Sequence, residues 1–297
     1  MRLFRTPFAA AVALVAIATP QIAAAAPRPW LLPSETMFAG SGDEWLTVDA
    51  AISTDLYYFD HPAQAWQPVV FAPDGTQGGV ENLAKARQRL TFDVHITQRG
   101  TYRLSVFTES VMGSYMLDGE RKMLPRGTTP ATLAEAIPAG ATEVWSAVNS
   151  SRIETFATAG EPTTTVFKPV GKGIEIVPVT HPTDLSTGEA AVFQFLLDGR
   201  PAAGLTVSAV NGGVRYRDGL TQLSLTTDAD GKVTIKWPEA GMWWVSATNA
   251  QPRGEGGPGA GGPGAAPGGP GEGGPRPPMG PPQSRATYAM TVEVLPS

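Results

Sequence analysis

Apolar and polar residues alternate in short runs along most of this chain, and turn residues close each run. The clearest stretch runs from Ile174 to Ala247. It reads IEIVPVTHPTDLSTGEAAVFQFLLDGRPAAGLTVSAV and, after a charged turn, LSLTTDADGKVTIKWPEAGMWWVSA. Asp198-Gly199, Ala203-Gly204, Asp230-Gly231 and Pro238 to Gly241 punctuate it. A period of two puts one face of each run in a core and the other in water, as half-buried antiparallel strands require. Strands repeating every ~8–12 residues point to a small sandwich of the immunoglobulin or prealbumin type.

The first half carries the same pattern. Glu44 to Ala51 alternates, Leu56 to Phe59 (LYYF) reads as a short aromatic strand, and Gln67 to Ala72 ends at the turn Pro73-Asp74-Gly75. Arg89 to Thr97 places Leu90, Phe92, Val94 and Ile96 on one face, and Thr101 to Thr108 supplies Tyr102, Leu104 and Val106. With Arg99-Gly100 between them, these two runs predict a hairpin. Gly40-Ser41-Gly42-Asp43 reads as another hairpin turn, and Val80 to Arg89 fits either a short helix or a loop. One helix is expected, capped by Thr129, opened by Pro130, continued from Ala131 to Ile137 and ended by Pro138. The expected fold class is all-β: two β-sandwich domains, 26–165 and 170–297, with one short helix. The turn-rich stretch from Gly160 to Lys172 lies between them, although Val166-Phe167 also fits a strand.

From Pro252 to Ser284 the composition collapses to Gly and Pro without a Gly-x-y register. Such a tract has too little apolar surface to offset the entropy of ordering it, so 252–284 is expected to be a disordered insertion. Arg285 to Leu295 (RATYAMTVEVL) alternates again and predicts a last strand in the sheet that holds Trp243-Trp244. Loop-closure cost grows only logarithmically with length, so the sandwich tolerates the insertion. A wall-spanning or partner-binding spacer is the functional alternative.

The N-terminus adds a compartment. Arg2 and Arg5 precede an apolar run from Phe8 to Ala18 and a small-residue run from Ala23 to Ala26, which reads as a cleaved signal peptide over 1–25. The run is too short to span a bilayer, and no later segment qualifies, so no membrane insertion of the mature chain is expected. The sequence holds 0 Cys, which removes disulfides, thiolate metal sites, Cys nucleophiles and a lipid-anchored Cys. A Cys-free exported chain fits a bacterial periplasm. The net charge of −5 becomes two units more negative without Arg2 and Arg5, and offers no nucleic-acid footprint.

Candidate chemistry is sparse. The three His residues sit in Asp60-His61-Pro62, in a strand position beside Asp93 (His95), and in Thr180-His181-Pro182. No two have the spacing of a strand-borne or helical metal pair. His with a carboxylate suits Ni, Co, Zn or Cu, while solvated or turn-capping His is the plainer reading. Gly40-Ser41-Gly42 is not a nucleophile elbow, Gly171-Lys172-Gly173 lacks the rest of a phosphate loop, and Asp228-Ala229-Asp230-Gly231 lacks the rest of a Ca²⁺ loop. The Trp residues allow a sugar platform, against the commoner fate of burial. Nothing in the residues supports an enzyme.

PRPWLLPSE (Pro27 to Glu35), WLTVDAAISTDLYYFDHP (Trp45 to Pro62) and the two long blocks quoted first are similar to the DUF4198 family. GRPAAG and TDADGK also resemble turns of carboxypeptidase-regulatory or CnaB-type modules. The family resemblance implies an all-β periplasmic protein that handles divalent metal, of the kind described as a periplasmic component of cobalt or nickel uptake, without catalysis. A membrane metal transporter or outer-membrane receptor would be its partner, and a Ni or Co ion its cargo. The resemblance implies a His two or three residues before the N-terminal Trp, just after signal cleavage, where it could join the free α-amine and the intervening amide nitrogen in chelating Ni²⁺ or Cu²⁺. Here Pro27 stands there, with neither imidazole nor N–H, so a metal would fall to His61, Asp60, His181 or His95. A module docking to an envelope protein and a carbohydrate-binding module are the alternatives.

Overall fold

The computed structural model describes residues 27–61, 66–217, 219, 221–249 and 284–297. The expected signal peptide and, apart from Ser284, the expected disordered insertion lie outside the described residues. The first half contains β1 (Arg28–Pro33), β2 (Met37–Phe38), β3 (Glu44–Ser53), β4 (Val69–Phe71) and β5 (Gln77–Gly78). It continues with β6 (Glu81–Lys85), β7 (Leu90–Ile96), β8 (Gly100–Leu117), β9 (Glu120–Met123), α1 (Leu133–Ala136) and β10 (Thr142–Ala159). A 3-10 turn at Thr165–Phe167 leads to β11 (Ile174–Pro178), β12 (Ala190–Leu197), β13 (Arg200–Pro201) and β14 (Thr206–Asn211). After a second 3-10 turn at Val214–Tyr216 come β15 (Gln222–Thr226), β16 (Lys232–Lys236), β17 (Gly241–Thr248) and β18 (Arg285–Val294).

The fold is an all-β sandwich of three layers. The middle sheet runs β15-β14-β17-β18-β10-β8-β4-β5, with β2 on β10 and β9 on β8. The sheet β1-β3-β7-β6 covers one of its faces, and the sheet of β11, β12, β13 and β16 covers the other. Alternation decides which side chain meets which cover. On β17, Trp243 and Val245 enter one core while Trp244 enters the other; on β18, Tyr288 and Met290 go one way and Ala289 the other. One sheet therefore runs through both halves of the chain. Its seam is β18, antiparallel to β17 from Gly241↔Val294 and parallel to β10 from Asn149↔Arg285.

Several local expectations are corrected. β7 and β8 form no hairpin: β7 pairs with β3 and β6, whereas β8 pairs with β10, β4 and β9. Their apolar faces meet across the core instead, Phe92 and Val94 against Leu104 and Val106, so the chain arches between layers at Gly100. The Tyr102 hydroxyl holds that arch by accepting the N–H groups of Thr97 (3.1 Å) and Gln98 (2.7 Å). Gly40 to Asp43 likewise crosses between layers, because β2 lies on β10 and β3 pairs with β1. Val80 to Arg89 contains strand β6. Val166-Phe167 forms a 3-10 turn whose two side chains are buried. The helix is one turn, with N-cap Thr132 rather than Thr129 and no side-chain cap bond. Leu56 to Phe59 is a turn, because Tyr57 has φ +66° and leaves the strand region.

Candidate functional site

β3 ends at Ser53, whose hydroxyl accepts the Trp30 indole N–H at 2.8 Å. The following loop reverses at Tyr57, whose positive φ turns its ring inward, edge-on to Trp30 with centroids 5.5 Å apart. The Phe59 ring lies 5.6 Å from Trp30 on the same support. The loop closes on itself where Asp60 Oδ2 accepts the Thr54 N–H at 2.9 Å. Asp60 Oδ1 lies 2.5 Å from His61 Nδ1. Partial burial pushes the Asp60 carboxyl up, but the bonds from His61 and Thr54 outweigh it and hold it below its ordinary value. An ionised Asp60 accepts a hydrogen bond from Nδ1–H, so Nε2 of His61 carries the lone pair, and it has no partner among the described residues.

A second loop meets the first. Gly212 passes so close that a Cβ there would lie 2.8 Å from the Tyr57 ring. The 3-10 turn that follows carries Arg215, whose guanidinium sits 3.7 Å from the Tyr58 ring centroid and whose Nε and Nη2 each lie 3.4 Å from Asp55 Oδ2. The Tyr216 ring is 6.3 Å from Tyr58, tilted by 57°. A hydrogen bond with Tyr216 pushes the Tyr58 phenol up.

The other two predicted ligands lie elsewhere. His95 faces Trp45 across the β3–β7 pair, the rings stacked at 4.3 Å and 2°, with Nε2 2.9 Å from Asp43 Oδ1. His181 is enclosed by threonines. The Thr183 N–H donates to its Nδ1 at 3.3 Å, so Nε2 carries the proton and donates to the Thr163 carbonyl at 3.2 Å, with Thr101 Oγ1 3.0 Å away. Burial pushes its pKa down, opposed by Thr163 and Asp184. Both nitrogens of His181 are thus occupied in holding loops together. The structure brings Asp60 to His61, and no three of His, Asp or Glu gather as a metal cluster among the described residues.

The DUF4198 family model, described as a domain of unknown function, matches residues 24–251. The chain belongs to the DUF4198 family. In this DUF4198 protein the match stops short of β18, the strand that joins β17 to β10. Among solved structures it is similar to the D0-D1 domain of intimin, at 15% identity over 73% of this chain and 88% of that one, TM-score 0.21. It is also similar to a DUF4785 family protein from Legionella pneumophila, at 9% identity over 73% of this chain and 50% of that one, TM-score 0.23. No curated protein matches it.

Two groupings in this DUF4198 chain escape a reading of the sequence. One is the Tyr58–Arg215–Tyr216 surface; its linear signals are three successive aromatic residues before an acid in LYYFD and a single Tyr between two Arg in VRYRD. The other is buried and structural. Glu154 accepts the Tyr288 hydroxyl at 2.9 Å and lies 3.8 Å from both Arg103 and Arg152. Arg152 lies 3.7 Å from Glu175, whose carboxylate accepts the N–H groups of Val170, Gly171 and Lys172. Alternation alone assigns Arg103 and Glu154 to a wet face; the third sheet covers that face instead.

Proposed function

We propose that this is an exported, non-enzymatic periplasmic module that holds a divalent transition metal, Ni²⁺ or Co²⁺, weakly for a membrane transporter or outer-membrane receptor. The observation that carries the reading is the Asp60–His61 pair. A carboxylate behind one ring nitrogen, with the other nitrogen lacking a partner among the described residues, is the arrangement that orients metal-ligating imidazoles. Imidazole and carboxylate suit these ions. One protein imidazole leaves most of the coordination sphere open, which favours transfer over storage: a partner's ligands complete the site and take the ion. His181, with both ring nitrogens engaged, is the internal control.

The test is calorimetric titration of the mature chain with Ni²⁺ and Co²⁺. Weak binding is expected, lost in His61→Ala and kept in a His181→Gln variant that stays folded. Absence of binding, or binding that survives His61→Ala unchanged, sinks the proposal.

A further inference from the structure

We infer that β15 (Gln222–Thr226) is a self-association edge, pairing antiparallel with β15 of a second copy of this chain about a twofold axis at Ser224. This goes beyond the metal reading and shares no residue with it. β15 is an outermost strand of the middle sheet, and among the described residues it pairs with β14 alone. The Thr227 N–H donates to the Leu205 carbonyl and the Thr221 carbonyl accepts the Asn211 N–H, each at 3.1 Å, so the odd-numbered residues bond inward to β14. Direction alternates along an antiparallel ladder, which leaves the N–H and C=O groups of Gln222, Ser224 and Thr226 pointing away from β14.

What singles out this edge is that nothing in it blunts pairing. Natural sheets protect their outer strands with charge, proline, bulges or brevity. β1 carries Pro29 and Pro33, β11 ends at Pro178, and β16 has Lys232 and Lys236 at its two ends. β6 and β9 are charged, and β2, β5 and β13 span two residues each. Where β10 runs past β18, a register shift between Thr142 and Trp145 breaks the strand's regularity. β15 reads QLSLT, with no charge, no proline and an unshifted register against β14.

The strand also matches itself, which selects a second copy as the occupant. An axis at Ser224 sets Gln222 against the partner's Thr226 and Ser224 against the partner's Ser224. Those are the residues whose backbone groups face outward, so each outward N–H of one strand meets an outward carbonyl of the other. The same register brings Leu223 beside the partner's Leu225. Both leucines pack, half-buried, on the core between the middle sheet and the sheet of β11, β12, β13 and β16, so pairing extends that core through the axis. No charge in β15 opposes itself. One strand pair with two leucines from each copy makes a small interface, below about 1,200 Å² in total, so the dimer is weak and reversible.

The experiment is sedimentation equilibrium of the mature chain in EDTA, over concentrations rising to about 1 mM. Reversible dimerisation of the parent is expected. Ser224→Pro should weaken it at least ~tenfold, because both N–H donors at the axis are lost and a proline ring faces the partner. Ser224→Lys and Ser224→Glu should each associate more weakly than the parent, since like charges then meet at the axis, and their equimolar mixture should pair more tightly than either alone. Ser224 is exposed and its N–H faces away from β14, so these variants should melt as the parent does. The Lys–Glu arm decides the matter even if the proline variant fails to fold. A parent that stays monomeric, a dimer unchanged by Ser224→Pro, or a Lys–Glu mixture no tighter than its components overturns the inference. EDTA removes any metal-bridged dimer, so failure here leaves the metal titration untouched.

Discussion

Replacing Glu154 with Leu should be among the most damaging single changes in the molecule, and the structure says how damaging. The side chain is 2% exposed and lies 3.8 Å from each of two buried guanidinium groups, those of Arg103 and Arg152. Arg152 survives the loss, because Glu175 lies 3.7 Å away and the carbonyls of Ile174 and Lys172 accept its N–H groups. Arg103 does not. Among the described residues it keeps only its stack on Phe71 at 4.1 Å, and its buried Nε lacks a partner there. Removing one member of a buried pair costs about 3–5 kcal/mol. The Tyr288 hydroxyl, buried beside it, loses its acceptor for about 1–3 kcal/mol more.

Against a total stability of about 5–15 kcal/mol, that removes about a quarter or more. In urea unfolding of the mature chain, with a slope of about 3 kcal/mol per M, the midpoint should fall by at least ~1 M. The decisive arm is Arg103→Met/Glu154→Leu. Replacing a buried ion pair by apolar residues is often neutral, so the double variant should recover most of the loss. A Glu154→Leu cost below about 1 kcal/mol, or a double variant no better than the single, refutes the reasoning that desolvated Arg103 is the source of the penalty.

Two further outcomes are expected. Burial lowers the pKa of His181, so the fold prefers the neutral ring; its contribution is complete above the unfolded value of ~6.5 and is lost as pH falls below it. Urea midpoints should therefore drop between pH 7.5 and pH 5 by more in the parent than in His181→Gln. An equal drop in both excludes this origin. Depressed carboxylates such as Asp60, Asp74 and Asp93 act lower, losing their contribution only as pH falls below the ordinary Asp value of ~3.9. Gly231→Ala should cost at least ~2 kcal/mol, because φ is +74° and the new Cβ would lie 2.4 Å from the Phe195 carbonyl oxygen. An unchanged midpoint would show that the turn shifts freely.

Much of this was legible in the residues, and the misses share one cause. Alternation with turn punctuation identified the strands from Ile174 to Ala247, and it identified β18 as the partner of β17 from ten residues standing beyond a Gly/Pro tract. It also put Leu90, Phe92, Val94 and Ile96 inside, where they are. It could not tell an arch from a hairpin at Gly100, since both reverse the chain and differ only in whether the next strand bonds sideways or packs across the core. Nor could it see that the polar faces of β8 and β10 would be roofed over, burying Arg103, Arg152 and Glu154.

The sequence by itself determined the strands, their inner faces, the absence of thiol chemistry and the His–carboxylate pair at Asp60-His61. The tertiary structure decided the partners: β18 as the seam between the halves, His181 as a loop pin, and Tyr58 beside Tyr216. A period of two is a property of neighbouring residues and reports only that one face of a strand is covered. What covers it, and what lies across a corner, depends on contacts between residues more than a hundred positions apart, such as Asp55 with Arg215 or Glu154 with Tyr288.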